Sequence, residues 1–145
     1  MFLRLLTKDE KQSFIKIAKK LVITNEKFSD FKRYIVDEYY RELGIESQLN
    51  DHEALGKEQR AVELHNGIAD YLSSFVSLQS KQIAFFEIAG LMQIDLVLSN
   101  EELEILEMAR RDLGIAEEKG SLLIRMAGEM VKQYFHCLCQ ITDIK

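Results

Sequence analysis

Proline and tryptophan do not occur in this chain, and glycine occurs only seven times among 145 residues. A β-sandwich or barrel draws on glycine and proline for its many turns, so this scarcity argues against both. The missing proline also excludes collagen and proline-rich ligands. Only two cysteines are present, Cys137 and Cys139, too few for a disulfide framework. No apolar run reaches the roughly 18 residues that cross a bilayer. The opening Met1–Leu6 stretch is apolar but short, and no small-residue cleavage site follows it, so it does not read as a secretory leader. A cytoplasmic protein is the expectation.

The basic excess of a nucleic-acid-binding domain is missing too, since the net charge is −5 and the pI is near 5.3. Residues 1–45 hold ten Lys/Arg against seven Asp/Glu, and the remainder holds nine against seventeen. The two portions therefore carry +3 and −8. Such a split fits a polar partner surface, and more commonly it reflects two solvated faces. Hydrophobic residues make up 47% of the chain, enough to build a core in a protein of one domain's length.

Apolar spacing predicts helices joined by short connections. Thr7 and Glu10 have capping-box spacing and should open the first helix. Phe14, Ile17, Ala18, Leu21 and Val22 form its apolar face, and Lys8, Lys11, Lys16, Lys19 and Lys20 occupy much of the rest. A second helix should follow Ser29, bury Phe31, Ile35, Tyr39 and Leu43, and stop at Gly44. Residues 45–56 read as loop or a short turn, with Asn50 and Glu53 able to open a helix. A third helix is expected from Lys57 to about Leu78, with Ala61, Leu64, Ile68, Leu72, Phe75 and Val76 as its apolar stripe and Gly67 marking close packing against a neighbour. Ile83, Ala84, Phe86, Ile88, Leu91 and Met92 predict a central helix, apolar around much of its circumference. Ser99 and Glu102 form a second capping box, with Leu98 placed to staple onto Leu103, and that helix should end at Gly114. A long last helix should carry Leu123, Met126, Ala127, Met130, Tyr134 and Leu138 along one side.

Two segments match at an offset of 70 residues. Leu21/Leu91, Ser29/Ser99, Ile35/Ile105, Arg41/Arg111, Leu43/Leu113, Gly44/Gly114 and Ile45/Ile115 are identical, and Asn25/Asp95 and Phe28/Leu98 are chemically close. Each copy reads apolar helix, polar connector, capped helix, Leu-Gly-Ile stop. Two copies are too few for a solenoid and suggest two similar hairpins related by a pseudo-two-fold.

On these connectors the chain resembles the tellurite-resistance TerB-like family, whose motif is an apolar helix followed by Asp-Gly-x-hydrophobic-Ser/Asp-x-x-Glu. The second copy supplies Asp95, Leu98, Ser99 and Glu102, with Leu96 in place of the glycine. The first supplies Asn25, Phe28 and Ser29, with Glu26 at the glycine position and Lys32 at the glutamate position. The resemblance spans roughly residues 10–140 in layout. It implies an all-helical fold with internal two-fold pseudosymmetry, in a cytoplasmic module linked to metal stress or phage defence. Such a module acts through partner or metal binding. A similar domain occurs in membrane-anchored DnaJ-like cochaperones, which implies a membrane-bound partner as a further option. The His-Pro-Asp motif of a J domain is absent with the proline.

Three candidate sites follow. Asp95, Glu101, Glu102 and Asn25 are oxygen donors that suit a weak divalent cation if the two connectors meet. Turn closure by Asp95 and capping by Glu102 account for the same spacing without an ion, and that reading is preferred. His136 and Cys139 share a helical face, but Cys137 points elsewhere and no fourth zinc ligand is marked, so a cysteine pair at the core edge is preferred to zinc. The lysine face of the first helix and the Met1–Leu6 arm are candidate partner surfaces. No nucleophile elbow, P-loop or dinucleotide fingerprint appears.

The expectation is an all-α, single-domain bundle of about six to seven helices over residues 1–145, with repeat halves at about 8–45 and 80–115. It would act as a non-enzymatic module for an unidentified protein partner, without cofactor and without nucleic acid. The alternative is a divalent-metal-binding stress protein or sensor using the acidic connectors.

Overall fold

The computed structural model describes residues 2–23, 30–44, 61–94 and 98–142. Within them a 3-10 turn at Leu3–Leu5 precedes six α-helices. These are α1 (Lys8–Ile23), α2 (Asp30–Leu43), α3 (Ala61–Leu72), α4 (Leu78–Met92), α5 (Asn100–Asp112) and α6 (Glu117–Thr142). No strand occurs among the described residues.

The local signals act as their chemistry demands. The Thr7 amide donates to Glu10 Oε1 at 2.9 Å and the Glu10 amide to Thr7 Oγ1 at 3.2 Å, so a capping box opens α1. Ser99 and Glu102 make the same reciprocal pair at the start of α5. Helix ends are equally legible. Gly44 and Gly114 adopt φ of +69° and +67°, the left-handed conformation that side chains resist. After α5 the Gly114 amide donates to the Arg111 carbonyl at 3.0 Å and the Ile115 amide to the Arg110 carbonyl at 3.1 Å, a Schellman stop. A Cβ at either glycine would meet nothing within 4 Å, so only the backbone resists substitution. Gly44→Ala and Gly114→Ala should each lose about 1 kcal/mol in chemical denaturation.

Two segments depart from the sequence reading. The third helix stops at Leu72 rather than running to about Leu78. Ser74 and Phe75 turn back on Tyr71 and Leu72 through i→i+3 bonds, and Ser73 Oγ donates to the Asp70 carbonyl. Phe75 is buried in the turn while Val76, expected on the buried stripe, is 80% exposed. The competing signal is Ser77, which accepts from the Ser80 amide at 3.0 Å and opens α4. Leu98 packs against the core, and Leu103, its expected staple partner, is 45% exposed. Gly67 faces the Lys20 stem at distances that would admit a Cβ, so close packing does not require it. The side chains of Phe31 and Ile35 and the segment from Asn50 to Gly56 fall outside what is described.

Burial organises the bundle around α4, as its all-round apolar pattern predicts. Ile83, Ala84, Phe85, Phe86, Ile88, Ala89, Leu91 and Met92 are all buried. α4 packs on α1, α5, α6 and the N-terminal turn, while α3 packs on α1 and α5. Phe14, Ile17 and Ala18 of α1, Val36 and Tyr40 of α2, Ile68 of α3, Leu106 of α5 and Ala127 of α6 join the same cluster. Leu3 and Leu6 are buried in it, so the N-terminal arm packs across the bundle. The apolar side of the last helix is only partly covered. Gly120 and Ala127 are its buried residues, and Met126 and Tyr134 are 43% and 38% exposed. Among the described residues its main neighbour is α4.

Candidate functional site

The connector proposed for metal is described only in part. Asn25, Ser29 and Asp95 lie outside the described residues. Glu102 is half-buried, and its carboxylate accepts the Ser99 amide at 3.2 Å, the geometry of a cap. Among the described residues no three His, Cys, Asp or Glu side chains converge as a metal group would require. Ser99→Ala should lose about 1 kcal/mol of stability by orphaning an amide. Glu102→Gln retains an acceptor for the Ser99 amide and should lose less. A larger loss in Glu102→Gln, read by denaturant unfolding, would contradict the capping assignment.

The other two candidates are altered by the fold. Lys16 Nζ stands 5.5 Å from the centre of the Tyr71 ring, and the Lys20 stem crosses Gly67, so part of the lysine face lies along α3. Lys8 remains exposed. Cys137 and Cys139 are both exposed, not at the core edge, because the last turns of α6 run on past the core. His136 is exposed beside them.

A groove not anticipated from the sequence runs between α2, α4 and α6, with a volume near 520 Å³. Gly90 and Phe86 of α4 lie along it, and Met130, Val131, Tyr134 and Phe135 of α6 line one wall. Tyr39 and Glu42 of α2 line the other. One polar cluster sits against this apolar surface. Glu87 is buried on α4, accepts the Phe2 amide at 2.7 Å and takes a hydrogen bond from the Tyr39 hydroxyl. Burial first, then the Glu87 and Glu42 charges and the Glu87 hydrogen bond, hold the Tyr39 phenol protonated well above its ordinary range. Tyr39 is therefore a fixed donor at neutral pH. Its ring meets Phe14 edge-on at 5.3 Å, and Phe2 meets Phe86 edge-on at 5.5 Å.

The α6 wall is positioned by one glutamine. Gln93 Nε2 donates to the Ile124 carbonyl at 2.8 Å and to the Ala89 carbonyl at 3.1 Å, joining α4 to α6. Its carboxamide lies over Gly128, where a Cβ would strike it. No local motif singles out Gln93 or Glu87. Glu87 stands inside an apolar run, and a charge at such a position was the available sign of a buried polar partnership.

Chemically, the groove offers apolar area, a neutral phenol and a carboxylate that is already hydrogen-bonded. That combination suits recognition through burial of an apolar surface with polar groups fixing orientation. The chain matches no family model, no curated protein and no solved structure.

Proposed function

We propose that this chain is a non-enzymatic protein-interaction module of TerB-like type, serving a metal-stress or phage-defence response in the cytoplasm. The observation that carries the reading is the apolar α2–α4–α6 groove, which among the described residues lies open beside a last helix with one principal packing neighbour. An exposed apolar surface of this kind is the usual mark of a partner site.

The TerB-like assignment implies a pseudo-two-fold relation between the α1–α2 and α4–α5 hairpins, and several details support it. Shifted by 70 residues, Lys8–Ile23 falls on positions 78–93 and Asp30–Leu43 on 100–113, within a residue of α4 and α5. Thr7 and Ser77 both cap, and Gly44 and Gly114 both terminate in the left-handed conformation. Glu10 and Ser80, which correspond under the same shift, hydrogen-bond to each other. A two-fold axis brings equivalent residues together in this way.

The test is purification of the tagged chain from the cells that naturally make it, under gentle conditions, with the co-purifying proteins quantified. A stoichiometric partner is expected. A chain that emerges alone, and whose melting temperature rises saturably with micromolar calcium or manganese, would replace this reading with the metal-sensor alternative.

A further inference from the structure

α6 carries apolar residues beyond the side that meets α4. Ala127 and Val131 lie against Gly90 of α4. Leu122, Met126 and Met130 form a second row at i, i+4 spacing, in which Leu122 and Met126 are exposed and Met130 is half-buried. Single apolar side chains are ordinary on a surface, but a row of them along one helix marks a contact. Charge says what fits it. Glu118, Arg125, Glu129 and Lys132 run along one edge of this row, spaced seven, four and three residues apart, and all four are exposed. Among the described residues none of the four makes an ion pair. Their signs alternate, and Met126 lies near the middle of the set. Glu118 stands eight residues before Met126 and Lys132 six after it, while Arg125 stands one before and Glu129 three after. In an antiparallel pair of identical helices the same edge of both meets, and a two-fold axis makes every contact twice. Centred on Met126, such a pair sets Glu118 against Lys132 and Arg125 against Glu129. Met126 meets its own copy, and Leu122 meets Met130.

We propose that α6 pairs with α6 of a second copy of this chain, antiparallel and two-fold about Met126. The apolar row supplies the centre of the interface, and the charged edge sets direction and register. Glu118, Leu122 and Arg125 line a surface hollow near 600 Å³, and the arrangement brings Met130 and Lys132 of the second copy to it. One helix from each chain makes the contact, so the interface is of the small kind whose occupancy follows concentration. It does not depend on the partner proposed for the groove.

The experiment is sedimentation velocity of the full chain from about 1 to about 200 μM, over which monomer should give way to dimer. Met126→Lys places two like charges on the axis and should weaken the dimer at least about tenfold. Leu78→Lys, at an exposed position on the first turn of α4, should not. Arg125→Glu and Glu129→Arg each set like charges against one another twice, and each should weaken self-association about fivefold. Mixed together, these two variants should associate as tightly as the wild type, because every facing pair is then opposite in sign. Circular dichroism melts establish that each variant folds. A chain that stays monomeric throughout would overturn the proposal, as would a dimer indifferent to Met126→Lys. A dimer whose two charge variants fail to pair with each other would overturn it as well. A monomer whose Met126→Lys variant loses the co-purifying protein would assign the row to that protein, which removes the dimer and leaves the interaction-module reading standing.

Discussion

Phe85→Ala should lose about 3–5 kcal/mol of unfolding free energy, the largest effect expected of any single substitution here. Phe85 is fully buried at the middle of α4, the helix on which α1, α5 and α6 all pack. Its ring also reaches Gly120, where a Cβ would sit 3.8 Å from Cε1, so it joins α4 to the start of α6. Truncation removes the transfer free energy of the ring and leaves a cavity that three helices cannot collapse into independently. Phe85→Leu keeps much of the volume and should lose about 1–2 kcal/mol. Chemical denaturation of both variants checks the order, and a loss below about 1 kcal/mol in Phe85→Ala would show that α4 is not the packing centre.

Glu10→Ala should lose about 2 kcal/mol, more than a capping residue alone supplies. The carboxylate is buried and does two jobs. It completes the α1 capping box through the Thr7 amide, and its second oxygen accepts the Val76 amide at 3.4 Å, ahead of α4. Burial raises its pKa, but hydrogen bonds involving the Thr7 backbone, Ser80, the Thr7 side chain and the Val76 backbone outweigh that effect and leave it below the ordinary 4.5. The sign of the pH dependence follows. A carboxyl whose folded pKa is depressed stabilises the fold above its unfolded value, and that stability is lost as pH falls through the folded one. Wild type should therefore lose stability below about pH 4.5 more steeply than Glu10→Gln, which carries no charge to lose. Denaturant unfolding across that range measures it, and parallel profiles would contradict the role assigned to Glu10.

Helix starts and stops were legible because their chemistry is local. Thr7 with Glu10, Ser99 with Glu102, and the glycines at 44 and 114 need only their immediate neighbours to act. The central place of α4 was legible for a related reason, since a helix apolar on most sides has to be surrounded. The failures lie where a distant element decides the outcome. Val76 fits the stripe of α3 by spacing, yet Ser77 starts a new helix and leaves it in solvent. Met126 and Tyr134 fit the stripe of α6, but no second helix among the described residues covers them. The groove escaped the sequence for that reason: periodicity reports which residues prefer burial, not whether the fold supplies a neighbour. Glu87, Tyr39 and the Phe2 amide are brought together across 85 residues of chain, a separation no local motif encodes.

The central claim is that the α2–α4–α6 face is where this protein meets its partner. Backbone amide NMR of the full chain, titrated with the partner that co-purifies with it, tests it most directly. The account predicts saturable shifts concentrated at Tyr39, Glu42, Phe86, Gly90, Met130 and Tyr134, with the α1 amides around Lys8 and Lys11, outside the groove, unmoved. Shifts concentrated on α1, or spread without saturation over the acidic surface, would contradict it.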